Sequence, residues 1–232
     1  MTVTLTWYGH GTWGLDADGK QVIIDPFFTG NPACRTDPGE VNPSTILVTH
    51  AHNDHVGDVV SIAARTGAKV ITVNELANYL GSIGVENVAG GNHGGTIQFE
   101  GGSAKFTQAW HSSSYNDEHG NLVAPGIPAG FVVKFGGKTM YFAGDTGLFG
   151  DMALIGEEGL DLAVLPIGDN YTMGPDDGVR AAKMLNAKHV APGHYNTFPL
   201  LEQDGAKFIA DVEANTSSRG LLLQPGESIE IN

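Results

Sequence analysis

The stretch Thr49-His50-Ala51-His52-Asn53-Asp54-His55 follows directly on the apolar run Ile46-Leu47-Val48. It packs three imidazoles and a carboxylate into the six residues from His50 to His55. Imidazole nitrogen is a borderline ligand for zinc and other first-row metals, and carboxylate oxygen is a hard one. A lone histidine at a strand end is usually structural or exposed, but so dense a set is poorly explained as surface or core filling. The apolar run reads as a buried strand. His50 and His52 then lie in the loop at its C-terminal end, before a helix that begins near Asp58. Sites in layered α/β folds often occupy such strand ends. Residues two apart in an extended segment point the same way, so His50 and His52 can share one ion. Asp54 and His55 lie where the chain turns and can face a second.

Each half of such a site is incomplete, and the missing ligands are found far along the chain. His111 follows an apolar run at 104–109 and can complete the first half. His194 follows a run at 189–191 and can complete the second. Asp145 lies in Ala143-Gly144-Asp145-Thr146-Gly147, where flanking glycines let the backbone crowd a cluster. A carboxylate has two oxygens and can bridge two ions, as an imidazole does not. His93 and His119 lie in Gly/Asn-rich loops and His189 opens a strand, so these three are read as structural or exposed.

Outward from the cluster, short apolar or alternating runs recur between Gly, Pro, Asn and Asp. Strands are expected at 3–7, 22–25, 46–49, 69–73, 96–99, 104–109, 130–135, 138–143, 162–165, 189–191, 220–223 and 228–231. Helices are expected at 58–65, at 75–82 with Asn74 as N-cap, at 176–185 opened by Pro175, and at 203–215. Each half of the chain is a series of strands followed by helices. That suggests an α/β fold of two packed sheets with helices outside, a four-layer α/β/β/α sandwich. The polar stretch near 112–126 marks the boundary between the halves of a single domain spanning 1–232.

Composition narrows the function. With 232 residues the chain is long enough to bury a large core, and 33 Gly with 11 Pro suit many strands and tight turns. There are 26 acidic against 12 basic residues, a formal net charge of −14. A nucleic-acid backbone needs a basic face to displace its counterions, so nucleic acid is not the expected partner. Cys34 is the only cysteine, so no intrachain disulfide forms. No signal-peptide pattern opens the chain, and no apolar run approaches bilayer length. A cytoplasmic protein without membrane contact is expected.

The pattern His50-x-His52-x-Asp54-His55, with His111, Asp145 and His194, resembles the signature of the metallo-β-lactamase superfamily. The likeness extends along nearly the whole chain. Ile24-Asp25-Pro26-Phe27, His111-Ser112-Ser113-Ser114, Pro128-Ala129-Gly130-Phe131, Phe142-Ala143-Gly144-Asp145-Thr146-Gly147, Thr172-Met173-Gly174-Pro175 and Gly193-His194-Tyr195-Asn196-Thr197-Phe198-Pro199 resemble a branch of single-domain metal-dependent hydrolases similar to L-ascorbate-6-phosphate lactonase. The resemblance implies that His50, His52 and His111 hold one ion, that Asp54, His55 and His194 hold another, and that Asp145 bridges them. It implies two divalent ions per chain, with zinc the default, manganese a rival and iron also compatible with mixed N/O donors. Related lactonases form oligomers, so a homo-oligomer is expected.

The chemistry that follows is hydrolysis of a small molecule. Two ions about 3.5–4 Å apart can share a water and lower its pKa from about 15.7 towards about 7. The bridging hydroxide would attack an ester, lactone or phosphoester, with Asp54 orienting it. His10, after the first strand, is the other candidate catalytic residue. Asp25 can accept the spare N–H of a ligating histidine. Asp169, Tyr171, Met173, Asn196 and Thr197 lie in loops that either line a pocket or pack as ordinary loops, and Arg35, next to Cys34, is read as a solvated surface arginine, with contact to an anionic group as the alternative. Ser112, Ser113 and Ser114 are read as supporting loop residues, not nucleophiles. The alternatives are a phosphodiesterase or nuclease of the same fold, and a catalytically silent metal-binding module.

Overall fold

The computed structural model describes residues 2–117 and 120–231. His119 therefore lies outside the described residues. The first half runs β1 (Val3–Gly9), β2 (Thr12–Ala17), β3 (Lys20–Ile24), β4 (Thr45–Leu47), α1 (Asn53–Val56), α2 (Val59–Thr66), β5 (Lys69–Val73), α3 (Asn74–Ser82) and β6 (Val88–Gly91). Then follow β7 (Thr96–Phe99), β8 (Gly102–Gln108), the short pair β9 (Tyr115–Asn116) and β10 (Leu122–Val123), β11 (Ala129–Phe135), β12 (Lys138–Phe142) and α4 (Met152–Gly156). The chain closes with β13 (Leu162–Pro166), α5 (Pro175–Leu185), β14 (His189–Gly193), α6 (Gly205–Asn215), β15 (Arg219–Gly220) and β16 (Ser228–Ile231).

Two seven-stranded sheets result, in the orders β16-β1-β2-β3-β4-β5-β6 and β15-β14-β13-β12-β11-β8-β7. Each is part antiparallel and part parallel, with β3 to β6 parallel in one and β12 to β15 parallel in the other. Helices α2 and α3 pack on the first sheet, and α5 and α6 on the second. The inner faces share one core, in which Trp13 of β2 lies against Gly193 of β14. This is the expected four-layer α/β/β/α sandwich. Among the described residues, no helix is long and apolar enough to cross a membrane.

The alternation of short strands and helices is largely as the sequence predicts, and the differences have physical causes. Strand β2 is absent from the expected set because Gly14 and Asp16 are residue types that strands disfavour; it lies between β1 and β3, with Trp13 stacked on Trp7 at 5.7 Å. Strand β6 reads Val-Ala-Gly-Gly and carries too little apolar pattern to register. Asn74 is not an N-cap: Val73 holds that position, and Asn74 sits inside α3 against Gly90 of β6. The expected 220–223 strand shrinks to Arg219–Gly220. The chain changes sheets between β6 and β7, well before 112–126, and β16 returns to the first sheet. A polar stretch marks an excursion there, the β9–β10 pair, instead of the crossing point.

The core is densest where aromatic rings meet between strands. Phe131 on β11 is fully buried, and its ring centroid lies 5.0 Å from that of Phe106 on β8. Phe131→Ala is expected to lower the unfolding free energy by about 3–5 kcal/mol, read from urea denaturation midpoints. A loss below about 1 kcal/mol would show that the site collapses around the missing ring.

Candidate metal centre

The candidate ligands converge because they all follow the C-terminal ends of strands that open on one edge of the sandwich. His10 follows β1, Asp25 follows β3 and His50 lies just past β4 in the first sheet; His111 follows β8, Asp145 follows β12 and His194 follows β14 in the second. His10, Asp25 and His194 have φ of 54°, 48° and 52°. The left-handed turn costs a non-glycine residue roughly 1–2 kcal/mol and swings the side chain off the strand direction. Asp54 and His55 come from the single turn of α1.

The side chains form two clusters whose candidate ligand atoms lie within 4.8 Å of one another. One holds His50, His52, His111 and Asp145, and the other holds His10, Asp54, His55 and His194. In the first, His52 Nδ1 is 2.9 Å from His50 Nε2 and 3.2 Å from His111 Nε2. Ligand nitrogens about 2.0–2.1 Å from a tetrahedral ion stand roughly 3.3 Å apart, close to that spacing. Asp145 Oδ2 joins the clusters: it lies 3.0 Å from His194 Nε2, 3.4 Å from His55 Nε2, 3.5 Å from His111 Nε2 and 4.0 Å from His50 Nε2.

A layer of hydrogen bonds holds the rings. Asp25 Oδ2 accepts from His55 Nδ1 at 2.8 Å and from the Thr49 hydroxyl at 2.7 Å, while Oδ1 accepts from the Thr49 backbone N–H. The hydroxyl spends its one proton on Asp25, so its oxygen accepts the His50 Nδ1–H at 2.9 Å. Both Nε2 atoms are thereby left to face the centre. Asp25 thus orients one ring of each cluster, one directly and one through Thr49. Ser113 Oγ accepts the Ala51 N–H at 3.1 Å and pins the loop between His50 and His52. Gly144, at φ +62°, brings the Asp145 turn against Thr49: a Cβ there would stand 2.9 Å from the Thr49 Cβ.

Burial and charge set the protonation of this cluster. Burial, helped by the neighbouring His55, pushes His50 well below the ordinary imidazole range, and burial lowers His52 and His111 as well. These three rings are held neutral, the form that ligates a metal. Burial would also lower His55, but Asp145 and Asp25 outweigh it and hold it well above the ordinary value. Burial would raise Asp145, but His194 and His55 pull it well below the carboxylate range. Asp54 is lowered too: its hydrogen bond with His10 and the charge of His55 overcome its burial. Burial and the nearby His194 lower His10 to about 4, against the hydrogen bond to Asp54.

The donor set fits metal ions. Buried His55 Nε2, His194 Nε2 and Asp145 Oδ1 have no hydrogen-bond partner, although the two nitrogens lie close to Asp145 Oδ2. Unpaired buried polar atoms are costly in a folded chain, and a cation satisfies all three at once. A cavity of about 20 Å³ lies on the core side of these atoms, lined by His55, Asp145 and His194 together with core residues such as Trp13, Phe142 and Val164.

The sequence-predicted ligands His50, His52, Asp54, His55, His111, Asp145 and His194 are thus brought together, with His10 beside them. Other expectations separate here. Thr197 is buried and meets His10. Asn196 is exposed and turns its Oδ1 to the Gln203 N–H. Asp169 lines a surface cavity with Asp176, Asp177 and Asp204 that includes none of the candidate ligands. Met173 is buried, and its N–H bonds Thr146 O beside Asp145, so it anchors its loop from the core; Tyr171 in that loop is exposed. Arg35 is exposed, and Cys34 is a half-buried free thiol. Ser112 Oγ lies 3.4 Å from His52 Nε2. His93 bonds Pro128 O and His189 bonds Asp161 O, as structural histidines do. Sequence reasoning missed Thr49 as the link between Asp25 and His50. Its only sequence signal is adjacency to His50, which threonines at strand ends share.

Comparison with known proteins agrees with this geometry. The β-lactamase superfamily domain family matches residues 20–195. A UPF0173 metal-dependent hydrolase of Pelotomaculum thermopropionicum is 48% identical over 228 residues, covering 98% of this chain and 99% of the relative. A counterpart from the archaeon Methanosarcina mazei is 44% identical over 228 residues, covering 98% of each. The solved structure of Igni18, described as a metallo hydrolase from Ignicoccus hospitalis, superposes with a TM-score of 0.90 at 35% identity, covering 100% of this chain and 99% of that one. The chain belongs to the UPF0173 family of metal-dependent hydrolases within the metallo-β-lactamase superfamily.

Two outcomes test this layer. Asp25→Ala is expected to weaken metal binding about 10–100-fold, measured by competition with a chelator, as loss of an outer partner of a ligand does. The second outcome concerns pH. His10 takes a proton at about 4 in the folded chain against an ordinary value of 6.5, so acidification between those values favours the unfolded chain. In the metal-free protein, His10→Asn should reduce the stability lost on acidification across that window by up to about 3 kcal/mol, read from urea unfolding at each pH. An unchanged pH slope would count against a neutral buried His10.

Proposed function

We propose that the protein is a dinuclear hydrolase of a small-molecule ester, lactone or phosphoester, with His50, His52 and His111 on one ion, Asp54, His55 and His194 on the other, and Asp145 between them. The observation that carries this reading is the position of Asp145 Oδ2, within 3.0–4.0 Å of ring nitrogens from both clusters. Zinc and manganese both suit the mixed N/O donors, and iron is compatible with them. Bound ions would supply Lewis acidity and an activated water.

The chain's own residues supply the rest. Asp54 Oδ2 is fixed by His10 Nε2 at 2.9 Å, while its side chain is 32% exposed. The carboxylate is therefore both oriented and reachable, as a group that accepts a hydrogen bond from an attacking water and orients it must be. The rings of His50 and His55 cannot rotate away, because Thr49 and Asp25 hold their far nitrogens. Among the described residues, the ion pairs of Asp54 and Asp145 are with histidines. The net charge of −14, with 26 acidic against 12 basic residues, supports a small substrate over a nucleic acid, whose backbone needs a basic face.

The test is metal analysis of the purified protein joined to a screen of lactones, esters, thioesters and phosphodiesters. About two ions per chain, with turnover that Asp54→Ala reduces at least about a hundredfold, supports the reading. Fewer than one ion per chain after reconstitution with zinc or manganese sinks it.

A further inference from the structure

His10 has two roles open to it at this centre, and they require opposite ring protons. Its Nε2 lies 2.9 Å from Asp54 Oδ2, within the second cluster of donor atoms. A bare Nε2 would be a further ligand there, whereas a protonated Nε2 donates to the carboxylate. A neutral imidazole has one ring proton, so whatever Nδ1 bonds decides between the two.

The partner of Nδ1 is Thr197 Oγ1 at 3.0 Å, and both residues are buried. The Thr197 hydroxyl has one proton and two acceptors within reach: His10 Nδ1, and the carbonyl of Tyr195 at 3.4 Å. Hydroxyl donors sit about 2.5–3.0 Å from an oxygen acceptor, so the carbonyl at 3.4 Å lies beyond that range. Sending the proton to Tyr195 would place the imidazole proton on Nδ1. The bare Nε2 would then face Asp54 Oδ2 at 2.9 Å, one acceptor against another with no proton between them.

The backbone reinforces the pairing. His10 O accepts the His194 N–H and the Trp7 indole N–H, each at 3.0 Å. The left-handed turns at His10 and His194 are therefore stitched together, and Thr197 adds a side-chain stitch three residues on. The ring of Phe198 meets the His10 ring edge-on at 5.6 Å, and that of Phe27 does so at 5.8 Å. The imidazole is thus fixed in plane as well as in proton.

We propose that Thr197 is a positioning residue: it donates its hydroxyl proton to His10 Nδ1 and so holds His10 as the Nε2–H tautomer. His10 then donates to Asp54 Oδ2 and is not itself a metal ligand, which leaves the second ion to Asp54, His55, His194 and the shared Asp145. The consequence for metal rests on the two-ion reading above; the hydrogen-bond direction does not.

The experiment uses full-length protein labelled with nitrogen-15 in its histidines, metal-free and loaded with cadmium-113, beside Thr197→Val and Thr197→Ser. The ring shifts of His10 should place its proton on Nε2, and cadmium coupling should appear on His55 and His194 but not on His10. Thr197→Val should weaken binding of the second ion about 10–100-fold, and Thr197→Ser, which keeps the hydroxyl, should restore it to within about threefold of the parent. A proton on Nδ1, cadmium coupling to His10 Nε2, a Thr197→Val affinity equal to the parent's, or a Thr197→Ser affinity as weak as that of Thr197→Val would each overturn the assignment. If the chain takes up fewer than two ions, the metal-free spectrum still decides: a proton on Nε2 upholds the Thr197–His10 bond, and one on Nδ1 refutes it.

Discussion

A carboxylate buried to 3% exposure can stay charged only where opposite charge or hydrogen bonds surround it, and Asp145 sets that demand on the whole molecule. Its Oδ2 looks at ring nitrogens from the ends of β4, β8 and β14 and from the turn of α1. Those elements belong to both sheets. The two sheets must therefore meet with their strand ends level, and the shared core that aligns them serves the centre as directly as any ligand. Trp13 against Gly193, and Gly144 against Thr49, are places where this alignment is made by close contact between sheets.

The same demand explains the strained turns. His10, Asp25 and His194 all adopt left-handed backbone immediately after a strand. A straight continuation would carry each side chain past the cluster. The cost, roughly 1–2 kcal/mol for each turn, is set against charge pairing and hydrogen bonds that exist only when the side chains point inward. Asp25 shows the return most clearly, since one carboxylate orients His55 directly and His50 through Thr49. Without it His55 would lose its outer partner, and the Thr49 hydroxyl that holds His50 would lose its own.

Much of this was legible in the chain because ligand chemistry restricts residue type. His50, His52, Asp54 and His55 stand out by density, and His111, Asp145 and His194 by their places after apolar runs. Strands read well where apolar and β-branched residues run together, as in β13, and poorly where residues such as Gly14 and Asp16 interrupt them, as in β2. Asn74 shows the limit of capping residues as signals: it is the first residue of the helix, packed against Gly90, and Val73 takes the cap position one residue earlier. The loop residues divided in a way no pattern predicted, with Thr197 turned to His10, Asn196 turned to Gln203, and Asp169 facing a different cavity.

The sequence by itself determined the donor atoms and the α/β/β/α class, because a ligand's identity and a strand's apolar period are local properties of the chain. Only the tertiary structure decided which donors share a cluster, where the chain changes sheets, and which neighbours hold the rings. Those depend on contacts between segments as far apart as Thr49 and Gly144, or His10 and Thr197, and such contacts leave no period in the sequence. The dense run from His50 to His55 marks a centre that becomes a site only when a second sheet brings Asp145 to it.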